Sequence, residues 1–269
     1  MPLSSAAASP LTDWHANPVA TARLALSCLD LTSLNEQDSE ADIARLCQRA
    51  QGPFGSVAAV CVWPRLAAFA RQQLPPAIAV AAVANFPDGS ADVERAMRET
   101  GVIVQSGAQE VDLVLPYAEL LAGKDAVVAR LLEAVRKASQ GLRLKVILET
   151  GVLVDEALIL RASQLSLACG ADFLKTSTGK TAISATPAAA RVMLGAIAAD
   201  PAAATHVGFK PSGGIRSVAD AALYIALSEE FLGAQALTPK RFRIGASSVL
   251  TDIEAVLAGQ ASAPVGQGY

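Results

Sequence analysis

Histidine is nearly absent from this chain of 269 residues; His15 and His206 are the only two. A Ser-His-Asp triad would have to use one of them, and a multi-histidine metal site lacks ligands. The four cysteines (Cys28, Cys47, Cys61, Cys169) stand far apart with no CxxC pair. That spacing argues against a zinc site or a disulfide framework, and four reduced, mostly buried thiols are expected. The longest uncharged apolar run, Ala77 to Ala84, falls well short of the roughly 18 residues a spanning helix needs. A net charge of −3 provides no global field for nucleic acid. The first basic residue is Arg23, and Pro2, Pro10, Asp13 and Pro18 interrupt any apolar start, so no secretory signal is read. The expectation is a cytoplasmic protein without nucleic-acid or membrane partners, whose chemistry falls to lysines, carboxylates, hydroxyls and backbone amides.

Hydrophobic residues make up 52% of the chain and charged residues 17%, ample for a packed core. Short apolar or β-branched runs alternate with Ala/Leu/Arg/Glu stretches. The predicted strands are Leu24–Leu29, Val57–Val62, Ile78–Ala84, Glu110–Leu115, Leu142–Leu148, Phe173–Thr176, Val207–Lys210 and Phe242–Ile244. The clearest predicted helices are Ser90–Gln105, Asp125–Ser139, Asp155–Ala168, Pro187–Ala199 and Val218–Phe231. Thr186 before Pro187 is an N-cap followed by proline in the first helical position. Eight such units read as a single α/β domain, an eight-stranded parallel (β/α)8 TIM barrel over residues 23–258. An open doubly wound sheet is the alternative, weakened because no predicted strand is followed by GxGxxG. Residues 1–22 read as a loosely ordered leader and residues 259–269 as a flexible tail.

In a barrel of this kind the site lies at the C-terminal ends of the strands. Two lysines, Lys175 and Lys210, stand in apolar strands, where lysine is seldom buried without reason. Facing one another about 6 Å apart at an effective dielectric near 20, they would repel by roughly 2.8 kcal/mol, about two pKa units. One could then be a neutral amine able to attack a carbonyl. Equally, each could pair with a carboxylate such as Asp112 or Glu149. Asp112 reads as an ion-pair partner or a proton shuttle, and Lys145 as a third member of such a network. Gly213-Gly214 and Gly245-Ala-Ser247-Ser248 follow the last two strands, where backbone amides and a helix N-terminus suit an anion. Lys180 and Arg216 offer positive charge nearby.

Together these segments resemble the deoxyribose-phosphate aldolase family. The matching pieces are Leu29-Asp-Leu-Thr32, Glu110-Val-Asp-Leu-Val114, Leu144-Lys-Val-Ile-Leu-Glu-Thr-Gly151, Ala171-Asp-Phe-Leu-Lys-Thr-Ser-Thr-Gly-Lys180, Val207-Gly-Phe-Lys-Pro-Ser-Gly-Gly-Ile-Arg216 and Ile244-Gly-Ala-Ser-Ser248. The resemblance implies cleavage of 2-deoxy-D-ribose 5-phosphate to D-glyceraldehyde 3-phosphate and acetaldehyde in deoxyribonucleoside catabolism, with no metal or cofactor. It implies that Lys175 forms the Schiff base, Lys210 lowers its pKa, and Asp112 helps move protons. It implies that Gly179, Lys180, Gly213, Gly214, Ser247 and Ser248 hold the phosphate, and that Asp30 and Thr32 lie near the sugar hydroxyls. Tyr269 matches a terminal tyrosine that a mobile tail brings to the imine; an unordered end is the other reading. Cys61 ends a strand where product aldehyde could meet it, though packing explains it as well. The implied partners are small sugar phosphates and aldehydes, and a homodimer is compatible with this. The competing readings are another Schiff-base aldolase, a non-covalent Lys/Asp isomerase, and a silent sugar-phosphate binder.

Overall fold

The computed structural model describes residues 12–263. Eight short strands make one parallel sheet: β1 Leu29–Thr32, β2 Ala59–Val62, β3 Ala79–Ala84, β4 Glu110–Val114, β5 Arg143–Ile147, β6 Phe173–Lys175, β7 Gly208–Lys210 and β8 Ile244–Ala246. They lie in chain order, with β8 returning to pair with β1. Two parallel bridges, Phe209 to Phe242 and Ser212 to Gly245, close the wall between β7 and β8. The fold is the expected eight-stranded barrel of the TIM type.

Helices fill the crossovers that parallel strands require. In chain order they are α1 Pro18–Ser27, α2 Glu40–Arg49, α3 Pro64–Gln73, α4 Val93–Gln105, α5 Tyr117–Leu121, α6 Asp125–Ala138, α7 Thr150–Leu153, α8 Glu156–Ala168, α9 Pro187–Ala199, α10 Val218–Leu232 and α11 Val249–Leu257. The start signals act as the sequence suggests. The Thr186 hydroxyl accepts from the Ala189 amide at 3.2 Å, and the Asp155 carboxylate accepts from the Ala157 amide at 2.7 Å.

Strand alternation divides the side chains between two environments. Outward residues such as Val60, Val62, Val80, Val111, Leu113, Leu144, Val146, Leu174 and Phe209 join the helices in one large apolar core. The barrel interior holds a smaller apolar cluster of Leu34, Cys61, Ala81, Val83, Phe86, Val114 and Ile147. Interiors of such barrels are ordinarily filled by branched apolar residues; here much of the remaining space is taken by charge. Gly208 makes room for the Phe173 ring beside those charges. A Cβ at that position would enter the Phe173 ring and lie 2.7 Å from the Arg241 carbonyl oxygen.

Two expected strand boundaries are corrected. Leu24 to Ser27 is helical, not the start of a strand: α1 begins at Pro18, Asn17 caps it by accepting from the Ala20 amide, and β1 starts only at Leu29. The last strand lies two residues further along than Phe242–Ile244, because Ile244 to Ala246 pair with Leu29 to Leu31. The leader from Thr12 onward is packed: the Trp14 indole donates to Glu229 of α10 at 2.7 Å and the Thr12 hydroxyl at 3.0 Å. At the other end, Ser262 and the Ala263 amide donate to Asp252 of α11. Among the described residues, no helix is long and apolar enough to cross a membrane.

Candidate active site

Register brings the two lysines together. Lys175 of β6 is the direct cross-strand partner of Lys210 of β7. Both point into the barrel and meet the same atom: Oδ2 of Asp112 accepts from Lys175 Nζ at 2.8 Å and from Lys210 Nζ at 2.7 Å. Asp112 Oδ1 accepts from Lys145 Nζ at 2.8 Å. Below this level, Lys210 reaches Asp30 at 2.5 Å, and Lys145 reaches Glu110 at 2.5 Å and Asp30 at 3.1 Å. Arg243, just ahead of β8, contacts Asp30 and donates to Glu110 at 2.7 Å. Its guanidinium also lies 5.9 Å from the Phe173 ring centroid. Lys145, Lys210, Asp30 and Asp112 are 0% exposed and Lys175 is 2% exposed.

A charge count singles out one amine. Three buried carboxylates (Asp30, Glu110, Asp112) face four buried cationic side chains (Lys145, Lys175, Lys210, Arg243). Arg143 also meets Glu110, but from the solvent end with a half-buried side chain. Uncompensated buried charge is expensive, and a buried group sheds it by releasing a proton. Within this contacting network the cationic side chains outnumber the carboxylates by one, which favours release of a proton from one amine. Burial pulls the Lys210 ammonium down, but Asp112 and Asp30 outweigh it and the net shift is upward. Lys145 is likewise raised, its three carboxylates overcoming desolvation. Lys175 alone of the three is lowered, by burial first, then by Lys210, against the pull of Asp112. Asp112 is held well below the usual carboxylate range by Lys145, Lys175 and Lys210, which together overcome its burial. It thus remains an ionised acceptor for all three amines.

Above Lys175 opens a cleft of about 340 Å³. Its walls are the loops after β1, β6, β7 and β8, and they include Thr32, Gly179, Lys180, Gly213, Gly214, Arg216, Ser247 and Ser248. Gly179, Gly213 and Gly214 take φ of 77°, 82° and 80°, the left-handed region that glycine enters without steric penalty. The amides of Gly179, Gly214, Ser247 and Ser248 have no acceptor among the described residues. Ser248 is the N-cap of α11 and makes no side-chain cap bond, so this helix presents its positive end to the cleft. Lys180 spans the mouth, donating to the Leu34 carbonyl at 2.8 Å.

Most residues singled out from sequence converge here, with differences. Asp30 does not line the cleft; it is buried one level below and is occupied by Lys210, Lys145 and Arg243. Glu149 pairs with neither strand lysine. It accepts instead from the amide and hydroxyl of Thr178 in the loop after β6. Its carboxyl is raised by burial, against the hydrogen bonds from Thr178. Glu149 sits at φ 56°, ψ 57°, a left-handed conformation that costs a non-glycine residue about 1–3 kcal/mol. Cys61 is fully buried, its thiol 3.9 Å from Asp112 Oδ2 and pushed up to about 11 by burial and by that carboxylate. Tyr269 lies outside the described residues. Glu110 and Arg243 received no role from sequence. The available signal was alternation: Glu110 shares a strand face with Asp112, and Arg243 with Gly245.

The chain as a whole is similar to known aldolases. A model of the DeoC/LacD family aldolases matches residues 24–260. A deoxyribose-phosphate aldolase from Agrobacterium fabrum is 49% identical over 255 residues, covering 94% of this chain and 97% of that relative. The solved tetrameric deoxyribose phosphate aldolase from Aeropyrum pernix is 26% identical with a TM-score of 0.71, covering 91% of this chain and 97% of its own. A second solved aldolase is 27% identical with a TM-score of 0.74, covering 87% of this chain and 96% of its own. Because the matched stretch runs from within α1, ahead of the first barrel strand, to beyond the last barrel helix, with identity of 49% across nearly all of it, the chain belongs to the DeoC/LacD aldolase family, among its deoxyribose-phosphate aldolases, and is a carbon–carbon lyase.

Proposed function

We propose that the chain cleaves 2-deoxy-D-ribose 5-phosphate reversibly to D-glyceraldehyde 3-phosphate and acetaldehyde through a Schiff base on Lys175, in cytoplasmic deoxyribonucleoside breakdown. The observation that carries this reading is the placement of Lys175 on the cleft floor, sharing Asp112 Oδ2 with Lys210, where burial and Lys210 lower its pKa while that of Lys210 is raised. The neutral amine adds to C1 of the open-chain sugar, and loss of water gives a protonated imine. The C3 hydroxyl then loses its proton, and the C2–C3 bond breaks. Its electron pair moves into the iminium and leaves a two-carbon enamine on Lys175, while C3 becomes the aldehyde of glyceraldehyde 3-phosphate. Protonation of the enamine at C2 and hydrolysis release acetaldehyde and restore the amine. Lys210 and Asp112, both in contact range of Lys175, move the protons that carbinolamine dehydration and hydrolysis require.

The amides of Gly179, Gly214, Ser247 and Ser248, with Lys180 and Gly213, suit a phosphate dianion on the rim, and Thr32 lies toward the sugar hydroxyls. The assignment is tested with 2-deoxyribose 5-phosphate and an NADH-dependent alcohol dehydrogenase that consumes acetaldehyde. Steady NADH loss is expected; ligand binding without aldehyde release would contradict the assignment.

Imine formation needs the neutral amine, so kcat/KM rises with pH as Lys175 deprotonates. Its lowered pKa places that limb below the ordinary lysine range. Lys210→Leu removes a neighbouring cation and leaves more of the Asp112 charge on Lys175, and both effects raise the Lys175 pKa. The acid limb of kcat/KM is expected to move to higher pH by about one unit or more. An unmoved profile would remove Lys210 from this role.

A further inference from the structure

We infer that Glu149 is a positioning residue that sets the phosphate-binding loop, so that it governs affinity for the phosphorylated end of the substrate without taking part in bond cleavage. The inference rests on the proposed use of the cleft rim for phosphate, and it concerns a residue one shell away from the ligand.

The left-handed backbone at Glu149 turns its carboxylate into the loop after β6. There it accepts from the Thr178 hydroxyl at 2.5 Å and from the Thr178 amide at 3.3 Å, while the Thr181 hydroxyl, 3.3 Å away, has its shorter bond to the Ile183 carbonyl at 2.9 Å. The Thr178 oxygen in turn accepts from the Lys180 amide at 3.0 Å. Because the single hydroxyl proton of Thr178 is directed to Glu149, its lone pairs are left for Lys180. One buried carboxylate thus fixes the residues on both sides of Gly179, whose amide faces the cleft. A carboxylate suits this place because it accepts every bond offered and donates none.

The same turn is pressed against the far side of that loop. A Cβ on Gly151 would collide with the Ile183 carbonyl. One residue further, Ser184 lies against Gly213, where a Cβ would fall 2.5 Å from its hydroxyl oxygen. Glu149 and its turn therefore connect the end of β5 to both glycine corners of the proposed phosphate cradle. Lys175 is near enough to pull the Glu149 pKa down, but the hydrogen bonds of the carboxylate run to the loop and not to Lys175, Lys210 or Asp112.

The test compares 2-deoxyribose 5-phosphate with unphosphorylated 2-deoxyribose in Glu149→Ala, Glu149→Gln and Thr178→Val. For the phosphorylated substrate, KM is expected to rise about tenfold or more in Glu149→Ala and Thr178→Val, with kcat within about threefold. Glu149→Gln keeps one acceptor oxygen and is expected to fall between. For 2-deoxyribose, kcat/KM is expected to stay within about twofold in all three. Binding of inorganic phosphate, measured by calorimetry, is expected to weaken in parallel. Equal losses on both substrates, or an unchanged KM in Glu149→Ala and Thr178→Val, would overturn the inference. Should the wild-type protein bind phosphate yet cleave neither sugar, the aldolase assignment would fail while the calorimetric comparison still decides the role of Glu149.

Discussion

Lys175→Ala is expected to lower kcat/KM for 2-deoxyribose 5-phosphate by at least about 10⁴-fold. Without the amine no iminium forms, and breaking C2–C3 has no electron sink. Lys210 cannot substitute for it. Its ammonium is held protonated by Asp112 and Asp30, and it lies deeper in the barrel at 0% exposure. The fold should persist, because Asp112 keeps Lys145 and Lys210 as partners and the vacated space opens onto the cleft, where water can enter. Thermal unfolding by circular dichroism should shift by only a few degrees. Residual turnover above about one per cent would place the nucleophile elsewhere.

Asp112→Ala is expected to damage both stability and activity. Three amines converge on that carboxylate, and its removal leaves Lys145 and Lys210 facing each other with less compensation. Removing one partner of a buried ion network costs about 3–5 kcal/mol. At this chain length that corresponds to a fall in Tm of about 10 °C. Turnover should drop as well, since Lys175 loses its nearest proton-transfer partner. The sign of the pH effect follows from the same contacts. Asp30, Glu110 and Asp112 have lowered pKa values in the folded state. Their contribution to stability is present above the ordinary carboxylate pKa near 4 and is lost as pH falls through the lower folded values. Asp112→Ala should therefore unfold with a weaker pH dependence in acid than the wild type. An unchanged Tm in Asp112→Ala would contradict the network described above.

Much of this architecture was legible in the sequence, because parallel strands buried on both faces leave short apolar runs at regular spacing. The failures have local causes. The run from Leu24 to Leu29 suits a strand or a buried helix equally well, and the cap that decides it, Asn17-Pro18, is hidden in a leader rich in alanine and serine. The last strand was displaced because Gly245 and Ala246 have little strand propensity; it is pairing with β1 that extends them. The lysines stood out because charge inside an apolar strand is rare. Glu110 and Arg243 did not, because they flank strand ends, where charge is ordinarily solvated. Only closure of the barrel carries Arg243 beside Asp30 and Glu110. The part played by Glu149 depends on a left-handed backbone that nothing in Glu149-Thr150-Gly151 announces.

The most direct measurement is borohydride reduction during turnover, followed by peptide mapping across a pH series. A stable substrate-derived adduct is expected on the peptide bearing Lys175, with labelling that persists well below the ordinary lysine pKa and disappears in Lys175→Ala. An adduct on Lys210, or turnover with no adduct at any pH, would contradict the account.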